Sequence, residues 1–175
     1  MNMDLRYPIG QFQHEGDITE GQRQQWIEDI AALPDGLRAE VAGLSDAQLD
    51  TPYREGGWSI RQVIHHLADS HMNSFIRFKL ALTEDHPTIR PYYEDRWAEL
   101  ADSKEPVEIS LQVLEGLHQR WVILLQSIDE AQYSRTFYHP ESKETIRLDT
   151  NLGIYSWHGR HHLAHITTLK DRMNW

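Results

Sequence analysis

The sequence predicts an all-α fold: a four-helix bundle with a long crossover connection and a small β-hairpin before the last helix. Three observations predict it. Four stretches of roughly 18–25 residues carry apolar side chains at a 3–4 spacing, which is the pattern of bundle helices. Of the seven prolines, five (Pro52, Pro87, Pro91, Pro106, Pro140) fall between those stretches, where helices must stop. The 175 residues are 39% hydrophobic and 25% charged, which suits one compact domain over 1–175 whose core needs no staples.

Residues 1–18 carry Pro8, Gly10 and Gly16 with little periodicity and read as an extended arm. The first helix fits Thr19–Gly43. Thr19 can cap it, and Trp26, Ile27, Ile30, Leu37 and Val41 form its ridge. Pro34 lies inside this pattern, so a kink or a break is expected there. Ser45–Gly57 is a connection, and a second helix fits Ser59–Thr83, with Ile60, Ile64, Leu67, His71, Phe75 and Phe78 on one ridge. Residues 84–109 form the long link, with a short helix around Tyr93–Ala101. A third helix fits Ser110–Ile128. Thr136-Phe137-Tyr138 and Thr145-Ile146-Arg147-Leu148 flank a Pro140-Glu141-Ser142 turn, a hairpin signal. The last helix fits Asn151–Met173. Leu44-Ser45-Asp46-Ala47-Gln48-Leu49 and Ile128-Asp129-Glu130-Ala131-Gln132-Tyr133 echo one another, which suggests two helix–turn units built alike.

Seventeen basic against 27 acidic residues give a net charge of −10. That opposes nucleic-acid backbones and anionic membranes, both of which require clustered Lys and Arg. No Cys is present, so thiolate metal sites, disulfides and Cys nucleophiles are excluded. With no apolar signal core over Met1–His14, a cytoplasmic location is expected.

Histidine stands out, with 11 copies. His65, His66 and His71 lie on the second helix, and His158, His161, His162 and His165 on the last. Residues four apart on a helix differ by about 40° in direction. His158 and His162 therefore face one way, and so do His161 and His165; such a pair is a two-toothed grip for a metal ion. Three neutral imidazoles with a fourth position open are the donors of a catalytic zinc site, and they suit Ni equally. A water or thiol taken up at the open position loses its proton near neutral pH. The competing reading is ordinary packing. His71 sits on the apolar ridge as a core histidine would. His66 shares a polar stripe with Gln62, Asp69, Ser70, Asn73 and Arg77, which is either a wetted face or a pocket wall. Periodicity leaves the third ligand open. Trp58, Trp97, Trp121 and Trp157 read as core anchors, and Arg90 and Tyr92 as solvated loop residues or a pocket mouth.

Several blocks carry a family resemblance: Tyr7-Pro8-Ile9-Gly10, Asp50-Thr51-Pro52-Tyr53-Arg54, Gly56-Gly57-Trp58, Arg61 through Asn73, Ile76-Arg77-Phe78-Lys79-Leu80, Ile89-Arg90-Pro91-Tyr92, Phe137-Tyr138-His139-Pro140, and Trp157 through Ile166. Together they resemble the YfiT branch of the DinB superfamily over nearly the whole chain. The resemblance implies an antiparallel-type four-helix bundle holding one divalent metal per chain, Zn or Ni. Its ligands would be the His before Leu-Ala-Asp, which is His66, and the pair His158 and His162. Arg160 stands where relatives can carry a further His and is not expected to be a ligand. The resemblance also implies a metal-dependent hydrolase, or an S-transferase using bacillithiol or a similar thiol, and a homodimer. The substrate would be a small electrophile attacked by water or thiol. Asp69 is a candidate orienter of a ligand ring, and His65, His161 and His165 are candidate orienting or acid–base groups. The alternative is a non-catalytic metal-binding or interaction bundle, for which a fourth protein donor such as His71 or His165 would speak.

Overall fold

The computed structural model describes residues 4–175, and residues 1–3 of the predicted arm lie outside the described part. The elements run α1 (Glu20–Val41), α2 (Asp46–Leu49), α3 (Ile60–Thr83), α4 (Glu94–Trp97), a 3-10 turn (Ala101–Lys104), α5 (Val107–Ser127), α6 (Glu130–Tyr133), β1 (Thr136–His139), β2 (Glu144–Arg147) and α7 (Leu148–Met173). The long helices α1, α3, α5 and α7 form the bundle, so the all-α prediction holds. No helix among the described residues is long and apolar enough to cross a membrane.

Local chemistry explains most boundaries. Thr19 accepts the Gln22 amide at the start of α1. Ser59 and Gln62 form a reciprocal capping box on α3. The echoed segments become α2 and α6, each closed by its own capping box, Ser45 with Gln48 and Asp129 with Gln132. The third bundle helix begins at Val107, earlier than Ser110, because the Ser110 hydroxyl is occupied by His65 Nδ1 at 2.7 Å and caps nothing. The last begins at Leu148 rather than Asn151, since Leu148 and Leu152 are both buried in the core. The short helix expected around Tyr93–Ala101 divides into α4 and the 3-10 turn.

Pro34 breaks nothing: α1 runs through it from Glu20 to Val41. Proline brings no N–H to the carbonyl four residues back. That carbonyl, on Ile30, instead takes a hydrogen bond at 2.6 Å from His118 Nδ1 on α5.

The packing order is a ring. α1 lies against α5 and α7, and α3 against α5 and α7. The directions follow from side-chain pairs. Ser110 meets His65 and His118 meets His71, so α3 and α5 are parallel. Gly153 lies against Trp26 and Gly159 against Leu33, so α1 and α7 are parallel too. Ser70 reaches Tyr155 and Asn151 reaches Ser74, which makes α3 and α7 antiparallel. Two neighbouring pairs are thus parallel, where the resemblance suggested an antiparallel-type bundle. Parallel neighbours need a long return, and residues 84–106 supply it. This crossover first pairs with the hairpin, through Ile89 N–H to the Tyr138 carbonyl at 3.0 Å. It then runs back along α3, where Gln62 Nε2 donates to the Ala98 carbonyl at 3.1 Å. It covers the polar stripe of α3, which is therefore a wall inside the molecule. Beyond the site, one apolar cluster centres on Trp121, Phe78 and Phe137, and a second on Leu37, Ile60, Ile64 and Leu67.

Candidate metal centre

α3 and α7 face each other antiparallel, and their facing surfaces carry the histidines. Each of His66, His158 and His162 offers one ring nitrogen, and these nitrogens lie within 4.8 Å of one another. His66 Nε2 and His158 Nε2 are 3.2 Å apart. Two imidazoles bound tetrahedrally to one ion at 2.0–2.1 Å would place their nitrogens roughly 3.3–3.4 Å apart. The observed spacing is therefore that of two rings aimed at one point.

The electrostatics suit ligation. Burial pushes His66 down to about 4, and the nearby His161 adds to the effect. His158 and His162 are held well below the ordinary histidine value, first by burial and then by neighbouring rings. Neutral imidazoles keep a lone pair for a metal. The donors are all nitrogen, which favours borderline ions such as Zn or Ni over Ca or Mg. Among the described residues this group has three members, and no fourth protein donor joins it.

The other predicted histidines separate by role. His65 Nε2 donates to the Glu105 carbonyl at 2.9 Å and its Nδ1 takes the Ser110 hydroxyl, so it ties the crossover to α3. His71 is fully buried and lies behind His158, its Nε2 3.1 Å from His158 Nδ1. His165 Nδ1 lies 3.3 Å from His162 Nδ1, the position of a residue that orients a ligand. His161 stacks on Trp157 with ring centroids 4.5 Å apart. Arg160 turns away and pairs with Asp29 at 3.3 Å. Asp69 makes no hydrogen bond to a ligand ring. It is half-buried one turn after His66, and its carboxyl is pushed up to about 6 by burial and by Asp102.

Sequence reasoning missed three contributors. His118 lies outside both clusters, yet it occupies the ridge Leu111, Leu114, His118, Trp121, Leu125, a spacing that marks it as inward-facing. Tyr53 stacks on His165 at 3.9 Å. Trp58 packs on His66 at 4.5 Å and on His162 at 6.4 Å, so it is a site wall rather than a core anchor. Trp121 alone of the four tryptophans is a fully buried anchor; Trp97 is exposed beside Tyr92, and Trp157 packs on His161.

Arg90, Pro91 and Tyr92 join Tyr93, Pro140 and Glu141 around a cavity of about 420 Å³. The Tyr92 hydroxyl is buried without a partner among the described residues. Burial raises its pKa, the charges of Glu94, Tyr155 and Asp69 add to the rise and the nearby Ser70 hydroxyl opposes it, so Tyr92 connects the cavity wall to the polar face of α3.

Comparison with known proteins finds relatives described as metal-dependent and a solved structure of the same fold. The chain is 59% identical over 172 residues to a "putative metal-dependent hydrolase" of Bacillus mycoides, covering 98% of this chain and 99% of that one. A protein of Bacillus thuringiensis with the same description is 58% identical over 172 residues, again covering 98% and 99%. The solved structure of YfiT from Bacillus subtilis, described as "a probable metal-dependent hydrolase with an unusual four-helix bundle topology", superposes with a TM-score of 0.95 at 52% identity, covering 98% of both chains. The sequence matches the DinB superfamily over residues 29–166. With that span, that fold and relatives of that identity, the chain belongs to the DinB superfamily.

Proposed function

We propose that this chain is a metal-dependent enzyme that activates water or a low-molecular-weight thiol against a small electrophilic substrate. The observation that carries the reading is a set of three neutral imidazoles, His66 and His162 buried and His158 half-buried, with no fourth protein donor among the described residues. A purely structural ion would need a closed set of four. His66, His158 and His162 would hold Zn or Ni, and the ion when bound would lower the pKa of the nucleophile placed beside it.

The remaining steps belong to the chain's own residues. Trp58 walls the His66–His162 side and excludes water. The Asp69 carboxyl, pushed up to about 6, can take a proton near neutral pH, which makes it a general-base candidate rather than a ring orienter. The Tyr92 hydroxyl, held protonated by burial, can donate a hydrogen bond to an oxygen of the substrate. The cavity bounded by Tyr92 is of a size for a small molecule. Hydrolysis is the reading that the described relatives support. Thiol transfer would differ only in its nucleophile, and with no cysteine of its own the chain would draw the thiol from solution.

Metal analysis of the wild type beside His66→Ala, His158→Ala and His162→Ala tests the site. Full stoichiometric metal in all three variants would refute it. Incubation with a chlorinated arene, with and without thiol, then separates the chemistries. Thiol-dependent product means transfer, equal product without thiol means hydrolysis, and no product in either arm counts against an electrophile of this type.

A further inference from the structure

Two of the three proposed ligand rings lean on further histidines, and each line of rings ends on a backbone carbonyl. On one side, His158 Nδ1 meets His71 Nε2 at 3.1 Å, His71 Nδ1 meets His118 Nε2 at 2.9 Å, and His118 Nδ1 meets the Ile30 carbonyl at 2.6 Å. On the other, His162 Nδ1 meets His165 Nδ1 at 3.3 Å, and His165 Nε2 meets the Arg6 carbonyl at 3.1 Å.

A carbonyl only accepts. The ring nitrogen facing it must carry the hydrogen, and in a neutral imidazole the other nitrogen is then an acceptor. Starting from Ile30, His118 is protonated at Nδ1 and accepts at Nε2. His71 must donate from Nδ1 and accept at Nε2. His158 must donate from Nδ1, which leaves its Nε2 lone pair free. Starting from Arg6, His165 donates from Nε2 and accepts at Nδ1. His162 donates from Nδ1, and its Nε2 is likewise free. Both lines, traced independently, give the same result at the centre.

We infer that His118–His71 and His165 are positioning residues that lock the Nδ1–H tautomer of His158 and His162, so that both Nε2 lone pairs face the ion before it arrives. Pro34 belongs to the device. It supplies no N–H to Ile30, so His118 meets a carbonyl with no helical donor. The N-terminal arm belongs too, since Arg6 provides the other anchor. The inference rests on the proposed metal site. It also explains why His161, His162 and His165 lie close together: a hydrogen, and not a second ion, lies between the latter two rings.

The test has two parts. In the metal-free wild type labelled with 15N-histidine, long-range 1H–15N spectra at pH 7.5 should show hydrogens on Nδ1 of His158, His162, His71 and His118 and on Nε2 of His165. A hydrogen on Nε2 of either His158 or His162 overturns the inference. This readout needs no metal, so it stands apart from the proposed function, which fails if the wild type takes up no ion. Next, chelator competition with Zn should show a loss of about 10–100-fold in affinity for His118→Phe and for His165→Phe. His118→Gln, whose amide can donate to Ile30 and accept from His71, should recover most of it. Folded Phe variants that bind Zn as the wild type does would reject the relays, as would two ions per chain in the wild type. If a Phe variant does not fold, the wild-type spectra decide.

Discussion

The two walls of the proposed metal centre are built differently. On α7, His158 and His162 each have Nδ1 engaged by another histidine. On α3, among the described residues, His66 Nδ1 has no hydrogen-bond partner, and the ring is held by packing against Trp58 at 4.5 Å. An i, i+4 pair on a helix sets where two side chains point, but not how each ring is turned about its last bond. The relays add that constraint on α7. His66 lacks it and can turn to meet the ion. The site thus combines a fixed jaw and an adjustable one.

The largest effect should come from breaking the fixed jaw. His158→Ala or His162→Ala should abolish stoichiometric Zn binding, while His66→Ala should keep a weak two-ligand site measurable by chelator competition. At a thousandfold excess over Kd, Zn should stabilise the wild type by about 4 kcal/mol. For a chain of this size that is roughly 8–16 °C in Tm. Neither α7 variant should show the shift in a thermal scan.

Next is the support behind the fixed jaw. A Cβ on Gly159 would stand 2.7 Å from Leu33 Cδ2, so the buried Leu33 side chain, and with it the α1–α7 contact beside His158, must shift. Gly159→Ala should cost about 1–3 kcal/mol by denaturant melts and lower Zn affinity as well. Unchanged affinity in a destabilised variant would show that ring locking tolerates a displaced α7.

A smaller effect is expected with pH. Burial holds His66 and His118 at about 4, against 6.5 for the unperturbed side chain. Between those values the unfolded chain binds more protons, so stability is full above pH 6.5 and is lost as pH falls toward 4. Asp69, raised to about 6, acts in the opposite sense: its contribution weakens as pH rises from 3.8 to 6. Several histidines outweigh one carboxyl, so the Tm of the metal-free protein should fall on acidification through this window. A Tm that stays flat or rises contradicts the buried, neutral rings.

The smallest effect belongs to the adjustable jaw. Trp58→Phe keeps an aromatic wall but shortens it, and Zn affinity should drop by less than tenfold in the same competition assay. A loss as large as that of His118→Phe would mean that His66 is held as tightly as its partners.

Much of this design was legible beforehand. The four bundle helices, the Thr19 cap and the hairpin followed from apolar spacing and from capping and turn chemistry, which are local. The boundaries that moved did so for nonlocal reasons: Ser110 was engaged by a residue 45 positions away and so did not cap its helix. The parallel pairing of α3 with α5 was not legible either, because periodicity shows which face is buried but not what covers it. His118 could have been found from its place in an apolar ridge, but its partner carbonyl could not.

By itself the sequence determined the donor inventory. With no thiol and with two pairs of imidazoles four apart on one helix, a metal site here could have no thiolate ligand and had a two-toothed histidine grip to hand, and the family resemblance chose His158–His162. Tertiary structure decided how His66 comes to face that grip and which nitrogen of each ring carries the hydrogen. The reason is distance along the chain. The carbonyls that set those hydrogens are 88 residues from His118 and 159 from His165, and only packing brings them together.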